Sequence, residues 1–238
     1  MSWPGPRILA HRGGGALAPE NTLGAIRLGA SLGFKGVEFD VMLAGDGTPV
    51  VIHDETLERT TSGRGAVAAT PYNALAKLNA GNGEPVPSFE QAARLCRELG
   101  LWANVEIKPA KGYQRATGEA VAKMAADLWR GADVPPLLSS FSSEALACAR
   151  EAAPALARGF LVEKVPPDWQ SRLSELKCVA LHCNHKHLVQ PVATQVRSAG
   201  YALLVYTVNE PQDARRLFGW GIDCVVTDAL DRIGPDTA

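Results

Sequence analysis

Short apolar runs alternate with amphipathic stretches along the chain, a rhythm that predicts repeated β-α units around a parallel sheet. The apolar runs predict parallel strands near 7–10, 36–41, 102–107, 137–140, 158–162, 178–181, 202–206 and 223–226. Helices are predicted between them, near 21–32, 88–99, 118–130, 143–152, 168–176, 191–199 and 211–220. Eight strands with helices between them is the count of a closed TIM-type (β/α)8 barrel. A doubly wound open sheet is the fallback, but no strand feeds the glycine-rich phosphate loop of that fold.

One stretch departs from the rhythm. Pro49–Asp54 (PVVIHD) also has strand character, yet only the short Ala44–Thr48 link separates it from the second strand. A parallel crossover needs about a dozen residues, so the stretch is expected to fold back as an antiparallel hairpin on Asp46-Gly47. That turn sets His53 roughly opposite Asp40. Residues 55–87 hold turn formers with weak periodicity, among them Thr60–Gly65 and Gly81–Gly83. They read as a small insertion over the C-terminal face of one barrel spanning 1–238, not as a second core-bearing domain.

A length of 238 residues suits one such barrel. The formal net charge of −1 argues against a strong, sequence-independent hold on nucleic acid or an anionic membrane. No apolar run before the first strand has the length of an export signal, and none elsewhere approaches a bilayer span. Cys96, Cys148, Cys178, Cys183 and Cys224 show no CxxC spacing, as in a reduced, cytoplasmic protein. A homodimer is compatible with the chain but not dictated by it.

The candidate chemistry lies at strand ends. In Val37-Glu-Phe-Asp-Val41, alternation sends Glu38 and Asp40 to one face and the apolar residues to the other. The apolar face belongs against the helices, so both carboxylates point into the lumen, where ionising them without a partner is costly. A divalent cation relieves that cost, and hard cations favour carboxylate oxygens. Asn104-Val-Glu-Ile-Lys108 repeats the pattern and adds Glu106 and Lys108. The competing structural reading is an internal salt-bridge network of the three acids with Lys108 and Arg12. His11-Arg12 ends the first strand, giving a group that titrates near neutrality and a bidentate phosphate donor. With His53 at the same mouth and no GxSxG motif, the set points to phosphate-ester chemistry without a serine nucleophile.

His11-Arg-Gly, Pro19-Glu-Asn-Thr22, Glu38-Phe-Asp40, His53-Asp54, Glu106-Ile-Lys108, Ser140-Phe141, Thr207-Val-Asn209 and Thr227-Asp228 occur in the order found in glycerophosphodiester phosphodiesterases. The chain resembles that family over nearly its whole length, closest to short cytosolic bacterial members; Leu57-Glu-Arg-Thr60 and Leu181–His185 belong to that likeness. The resemblance implies a phospholipase-C-like phosphodiesterase barrel acting on small water-soluble diesters such as glycerophosphocholine or glycerophosphoethanolamine. It implies Glu38, Asp40 and Glu106 as ligands of Mg²⁺, or alternatively Ca²⁺. His11 and His53 are implied as general acid and base, and Arg12 and Lys108 as phosphate-binding groups. The family mechanism has a substrate hydroxyl attack phosphorus, so no protein nucleophile is expected.

Two departures stand out. Gly81-Asn-Gly83 runs almost directly into Glu84-Pro85, which shortens the insertion and bears on the choice of leaving group. Tyr206 stands where many members carry tryptophan, a neutral packing change. The run His182–His187 fits no usual structural zinc spacing. His182, expected at a strand end, is a candidate lining residue of the substrate pocket; His185 and His187 read as surface or packing residues. A sphingomyelinase-D-like phospholipase would need an export signal and another carboxylate arrangement. A Schiff-base aldolase would need an uncharged Lys108. A silent phosphodiester- or metal-binding barrel would have no need of two histidines.

Overall fold

Eight parallel strands close into a barrel in the computed structural model of the protein, which describes Trp3 and residues 5–237. Met1, Ser2 and Pro4, part of the stretch read for an export signal, lie outside the described residues, as does Ala238. The strands are β1 (Ile8–Ala10), β2 (Gly36–Leu43), β4 (Trp102–Ile107), β5 (Leu137–Ser140), β6 (Ala157–Val162), β7 (Ala180–Asn184), β8 (Ala202–Tyr206) and β9 (Cys224–Thr227). Parallel pairing of β1 with both β2 and β9 closes the ring, and β3 (Pro49–Val51) adds antiparallel to β2.

The barrel helices are α1 (Leu23–Ser31), α3 (Phe89–Glu98), α4 (Gln114–Leu128), α5 (Ser143–Ala152), α6 (Trp169–Leu176), α7 (Gln190–Ser198) and α8 (Pro211–Gly219), with α2 (Tyr72–Leu75) in the insertion. The alternation of β2 decides its two faces. Val37, Phe39 and Val41 belong to the layer between sheet and helices, where Phe39 meets Phe89 of α3 at 6.2 Å between ring centroids. Burying each such side chain contributes about 1.5–3 kcal/mol. Ser88 starts α3 through a capping box with Gln91, which fixes where the chain re-enters the barrel after the insertion.

The hairpin forms where expected, with Gly47 at φ 82°. Its register pairs Val41 with Val51, and the Ile52 N–H donates to the Asp40 carbonyl at 3.0 Å. Ile52, not His53, therefore faces Asp40. Ile52 shares the face of Asp40 and Met42 and packs in a second cluster there, while His53, two residues beyond the end of β3, lines the cavity.

The insertion packs Leu57, Val67, Leu75 and Val86 against Met42, Val50 and Ile52 of the hairpin, a satellite cluster beside the main core. Glu84 anchors it from the other side: its carboxylate accepts the Gly24 N–H at 2.8 Å. A Cβ at Gly24 would lie 1.8 Å from the Glu84 carboxylate oxygen, so a side chain there would push the carboxylate aside. The insertion was expected over the mouth. Its apolar side chains pack on Met42, Val50 and Ile52, which share the face of Asp40, and among the described residues none of 55–87 lines the central cavity. Strand β7 also runs further than predicted, to Asn184, and α4 starts earlier, at Gln114.

Candidate active site

Strands β1, β2 and β4 build one heavily charged wall at their C-terminal ends. Register sets Asp40 beside Glu106, and pleating sends both, with Glu38, into the lumen. Carboxylate oxygens of Glu38, Asp40 and Glu106 lie within 4.8 Å of one another, and all three residues are buried. Burial first, then the Asp40 charge, pushes Glu38 up to about 7 and Glu106 well above the carboxylate range. Asp40 goes the other way. Burial opposes its ionisation, but Lys108, His53, Arg12 and the Asn21 amide outweigh it and hold the carboxyl below its ordinary value.

The loop after β1 is shaped to serve this wall. Arg12 and Asn21 both adopt left-handed backbone, at φ 50° and 60°, which costs side-chain-bearing residues about 1 kcal/mol or more each. Local bonds hold them there. The Asn21 N–H donates to the Arg12 carbonyl at 3.0 Å, and the Asn21 amide both donates to Asp40 (2.9 Å) and accepts the Asp40 N–H (3.2 Å). The Arg12 N–H is thereby aimed at Glu38 (3.2 Å), and its guanidinium reaches Glu20 (2.7 Å) and lies 3.5 Å from Asp40. Lys108 stands 3.4 Å from Asp40 and 3.5 Å from Glu106. The salt-bridge pattern considered from the sequence is thus present, yet Glu38 and Glu106 remain pushed up within it.

Each histidine is backed by a carboxylate. His11 Nδ1–H donates to Asp228 at 2.5 Å, which leaves Nε2 3.8 Å from Glu38. Asp228 is itself held by Asn209, whose side-chain oxygen accepts its N–H at 2.8 Å and whose amide donates to its carboxylate at 3.2 Å. His53 Nδ1–H donates to Asp54 at 2.6 Å, and Nε2 accepts from Lys108 at 2.5 Å. Their proton affinities diverge. At His11, burial lowers the pKa but the Asp228 bond and the Glu38 and Asp228 charges overcome it, so the net shift is upward. At His53, burial and the Lys108 charge prevail over Asp40 and Asp54, and the net shift is downward. The two imidazoles are thus shifted in opposite directions.

His11, Arg12, Glu38, Asp40, His53, Glu106 and Lys108 open on one cavity of about 440 Å³, whose far wall carries Phe141, Leu161, His182, Leu204 and Tyr206. The model of the glycerophosphoryl diester phosphodiesterase family matches residues 11–232, from the first site histidine to just past the last site carboxylate. The chain belongs to that family. A glycerophosphodiester phosphodiesterase of Caldanaerobacter subterraneus subsp. tengcongensis is 30% identical over 230 residues, covering 93% of each chain. A Bacillus subtilis enzyme of the same description is 30% identical over 251 residues, covering 94% of this chain and 85% of its own. Among solved structures, an Oleispira antarctica phosphodiesterase in complex with the product sn-glycerol-3-phosphate superposes with a TM-score of 0.89 at 36% identity, covering 94% of this chain and 93% of that one.

As a member of this family the protein is a phosphoric diester hydrolase of the glycerophosphodiester type. Its three-carboxylate cluster fits the family's divalent metal: two of the three acids are held toward their protonated, neutral forms by burial and mutual repulsion, a state that a hard cation would reverse.

The fold also recruits residues to which sequence reasoning gave no role. Asp228, Asp54, Glu20 and Asn209 all sit inside the motifs that carry the family likeness, but only the fold shows which partner each holds. Arg59 is the furthest from view. It leaves the insertion to bond Asp54 (2.5 and 2.9 Å) and Glu20 (2.7 and 2.8 Å), tying the carboxylate behind His53 to the one that holds Arg12. His182 lies within β7, not at its end, because the strand continues to Asn184. It is fully buried and lines the cavity. Cys183 faces the helix layer, His185 is half-buried, and His187 pairs with Glu163 at 3.3 Å, so the His182–His187 run converges on no common point.

Proposed function

We propose that the cavity cleaves glycerophosphodiesters such as glycerophosphocholine and glycerophosphoethanolamine to sn-glycerol 3-phosphate and an alcohol, with His11 and His53 as the proton-transfer pair. The observation that carries this reading is the pair of carboxylate-backed imidazoles flanking three convergent carboxylates. In each, Nδ1 is committed to Asp228 or Asp54; Nε2 of His11 faces the carboxylate cluster, and Nε2 of His53, which accepts from Lys108, would be freed for substrate once Lys108 turns to the phosphate. One Nε2 takes the proton of the attacking hydroxyl; the other returns a proton to the departing alkoxide oxygen as the P–O bond breaks. Arg12 and Lys108 hold the phosphate oxygens, and His182 lines the substrate pocket.

Glu38, Asp40 and Glu106 would hold Mg²⁺, with Ca²⁺ as the alternative, supplying charge neutralisation at the phosphoryl oxygens. No serine or cysteine nucleophile is needed, and none of the five cysteines is accessible: all are buried and unpaired. Reduced thiols support a cytoplasmic location, and no described helix is long and apolar enough to cross a membrane. Small diesters, not nucleic acid or bilayers, are the proposed partners; a homodimer is compatible with the proposal.

The deciding experiment incubates the protein with glycerophosphocholine, with and without EDTA, and measures sn-glycerol 3-phosphate. Release that depends on divalent ion is expected. Binding of the diester without any release would instead favour a silent phosphodiester-binding barrel.

A further inference from the structure

The insertion touches the site from behind. Arg59 forks onto Asp54 and Glu20, the carboxylates that hold His53 and Arg12. Further along the β1–α1 loop, the Glu84 carboxylate accepts the Gly24 N–H at 2.8 Å. Pro19 meets Gly81, where a Cβ would lie 2.5 Å from the Pro19 Cβ. Residues 19–24 are therefore gripped at three points. The grip is close. Where Thr60, Thr61 and Val86 of the insertion meet Glu20, Asn21 and His53, a cavity of about 10 Å³ remains, room for a single water at most.

These contacts come from one connected piece. The Ser62 N–H donates to the Asn79 carbonyl at 2.8 Å and the Asn79 N–H to Ser62 Oγ at 3.0 Å, joining the turn that carries Arg59 to the one that carries Glu84. Asn79 Oδ1 also accepts the N–H groups of Gly81 and Gly83, at 2.8 and 3.0 Å, which folds the short 81–83 link and presents Glu84 to α1. What is gripped needs holding. Arg12 and Asn21 sit in left-handed backbone, a conformation that side-chain-bearing residues keep only where the surroundings over-determine it.

The geometry points to the insertion as a clamp: Arg59 and Glu84 are positioning residues that hold the β1–α1 loop in its strained form, and so place Arg12 and His53 without touching substrate. The roles of Arg12 and His53 themselves rest on the phosphodiesterase reading. The bond from the Asn21 N–H to the Arg12 carbonyl ties the two strained residues together, and the grip on 19–24 keeps that tie in place. Apolar packing on the hairpin gives the clamp its footing on β2 and β3. A lid would instead put insertion side chains into the cavity, and among the described residues none of 55–87 lines it.

The test breaks one contact of the clamp and leaves the groups in the cavity as they are. Gly24→Ala should displace the Glu84 carboxylate, which a Cβ there would approach to 1.8 Å, while alanine favours helix α1. With Mg²⁺ and glycerophosphocholine, kcat should fall about fivefold or more, with Tm unchanged or raised. Glu84→Ala should lower kcat alike. Glu84→Gln, whose amide oxygen still accepts the Gly24 N–H, should keep kcat within about twofold. Hydrogen exchange reads the loop directly: the Asn21 N–H should exchange at least about fivefold faster in Gly24→Ala and Glu84→Ala, and at the wild-type rate in Glu84→Gln. An unchanged kcat or an unchanged exchange rate in Gly24→Ala and Glu84→Ala would overturn the clamp, as would losses that follow Tm or that Glu84→Gln shares. Should Glu84→Ala unfold, Gly24→Ala decides alone. A wild type that releases no sn-glycerol 3-phosphate would count against the phosphodiesterase reading, and the exchange rates would still decide whether the loop is clamped.

Discussion

The two walls of this barrel are built from the same element, a parallel strand with one face inward, yet they differ in almost every physical respect. The wall of β1, β2 and β4 carries His11, Arg12, Glu38, Asp40, Glu106 and Lys108 within a few ångströms. The wall of β6, β7 and β8 presents Gly159, Leu161, His182, Leu204 and Tyr206, with no charge among them. The charged wall is polar because its groups hold one another: Asn21 on Asp40, Asp228 on His11, Asp54 on His53, Glu20 on Arg12. On the opposite wall the Tyr206 hydroxyl donates to the Val162 carbonyl at 2.8 Å, while the His182 nitrogens have no hydrogen-bond partner among the described residues.

The strongest way to break the comparison is to discharge the charged wall. Chelation with EDTA should abolish release of sn-glycerol 3-phosphate, and added Mg²⁺ or Ca²⁺ should restore it; full turnover in chelator would remove the metal from Glu38, Asp40 and Glu106. Glu38→Gln should weaken metal binding, read by calorimetry, while leaving the fold intact by circular dichroism.

Next in size are the histidines. His11→Ala and His53→Ala should each lower kcat at least about a hundredfold, as expected for loss of one proton transfer. A p-nitrophenyl phosphodiester sharpens this. Its phenolate leaves without a proton, so the variant lacking the acid should recover much of its rate and the variant lacking the base should not. Near wild-type kcat on glycerophosphocholine in both variants would discard the pair.

Arg59 tests whether the charged wall is prearranged or merely charged. Its bidentate contacts to Asp54 and Glu20 lie at the surface, where ion pairs add little to stability. Arg59→Ala should therefore leave Tm nearly unchanged and still lower kcat about tenfold through slackened His53 and Arg12. Arg59→Lys, which lacks the planar fork, should recover only part. A large fall in Tm with unaltered kcat per folded molecule would make the residue a staple of the insertion and nothing more.

The smallest effect belongs to the neutral wall. Burial lowers His182 from 6.5 to about 3, so between those values the unfolded chain binds a proton that the folded one refuses. Stability linked to this group is complete above pH 6.5 and is lost as pH falls toward 3. The full loss amounts to roughly 3–5 kcal/mol at 1.36 kcal/mol per pH unit. Denaturant melts at pH 7 and pH 4.5 should show His182→Phe losing less stability than wild type on acidification. Parallel losses in both proteins would mean that the imidazole is protonated, or solvated, in the native state.

The sequence alone determined the strand and helix rhythm, because periods of 2 and 3.6 are local. It likewise determined the inward turn of Glu38, Asp40 and Glu106, which follows from alternation along one strand. The Asp46-Gly47 hairpin was legible for a related reason: its loop is too short for any alternative. The one-residue offset that faces Ile52, not His53, to Asp40 was not, since register depends on both strands together. Nor was the place of His182. Its strand looked finished at Leu181, and only pairing with β6 and β8 carries β7 on to Asn184 and buries the ring over Gly159. Partnerships at long separation were beyond sequence altogether: Asp228 reaches His11 across 217 positions, and Arg59 reaches Glu20 across 39. Such contacts exist because closing the barrel brings β9 beside β1, and because the insertion's apolar residues pack on the hairpin. Residue types set what chemistry was available; closure of the ring decided which groups meet to perform it.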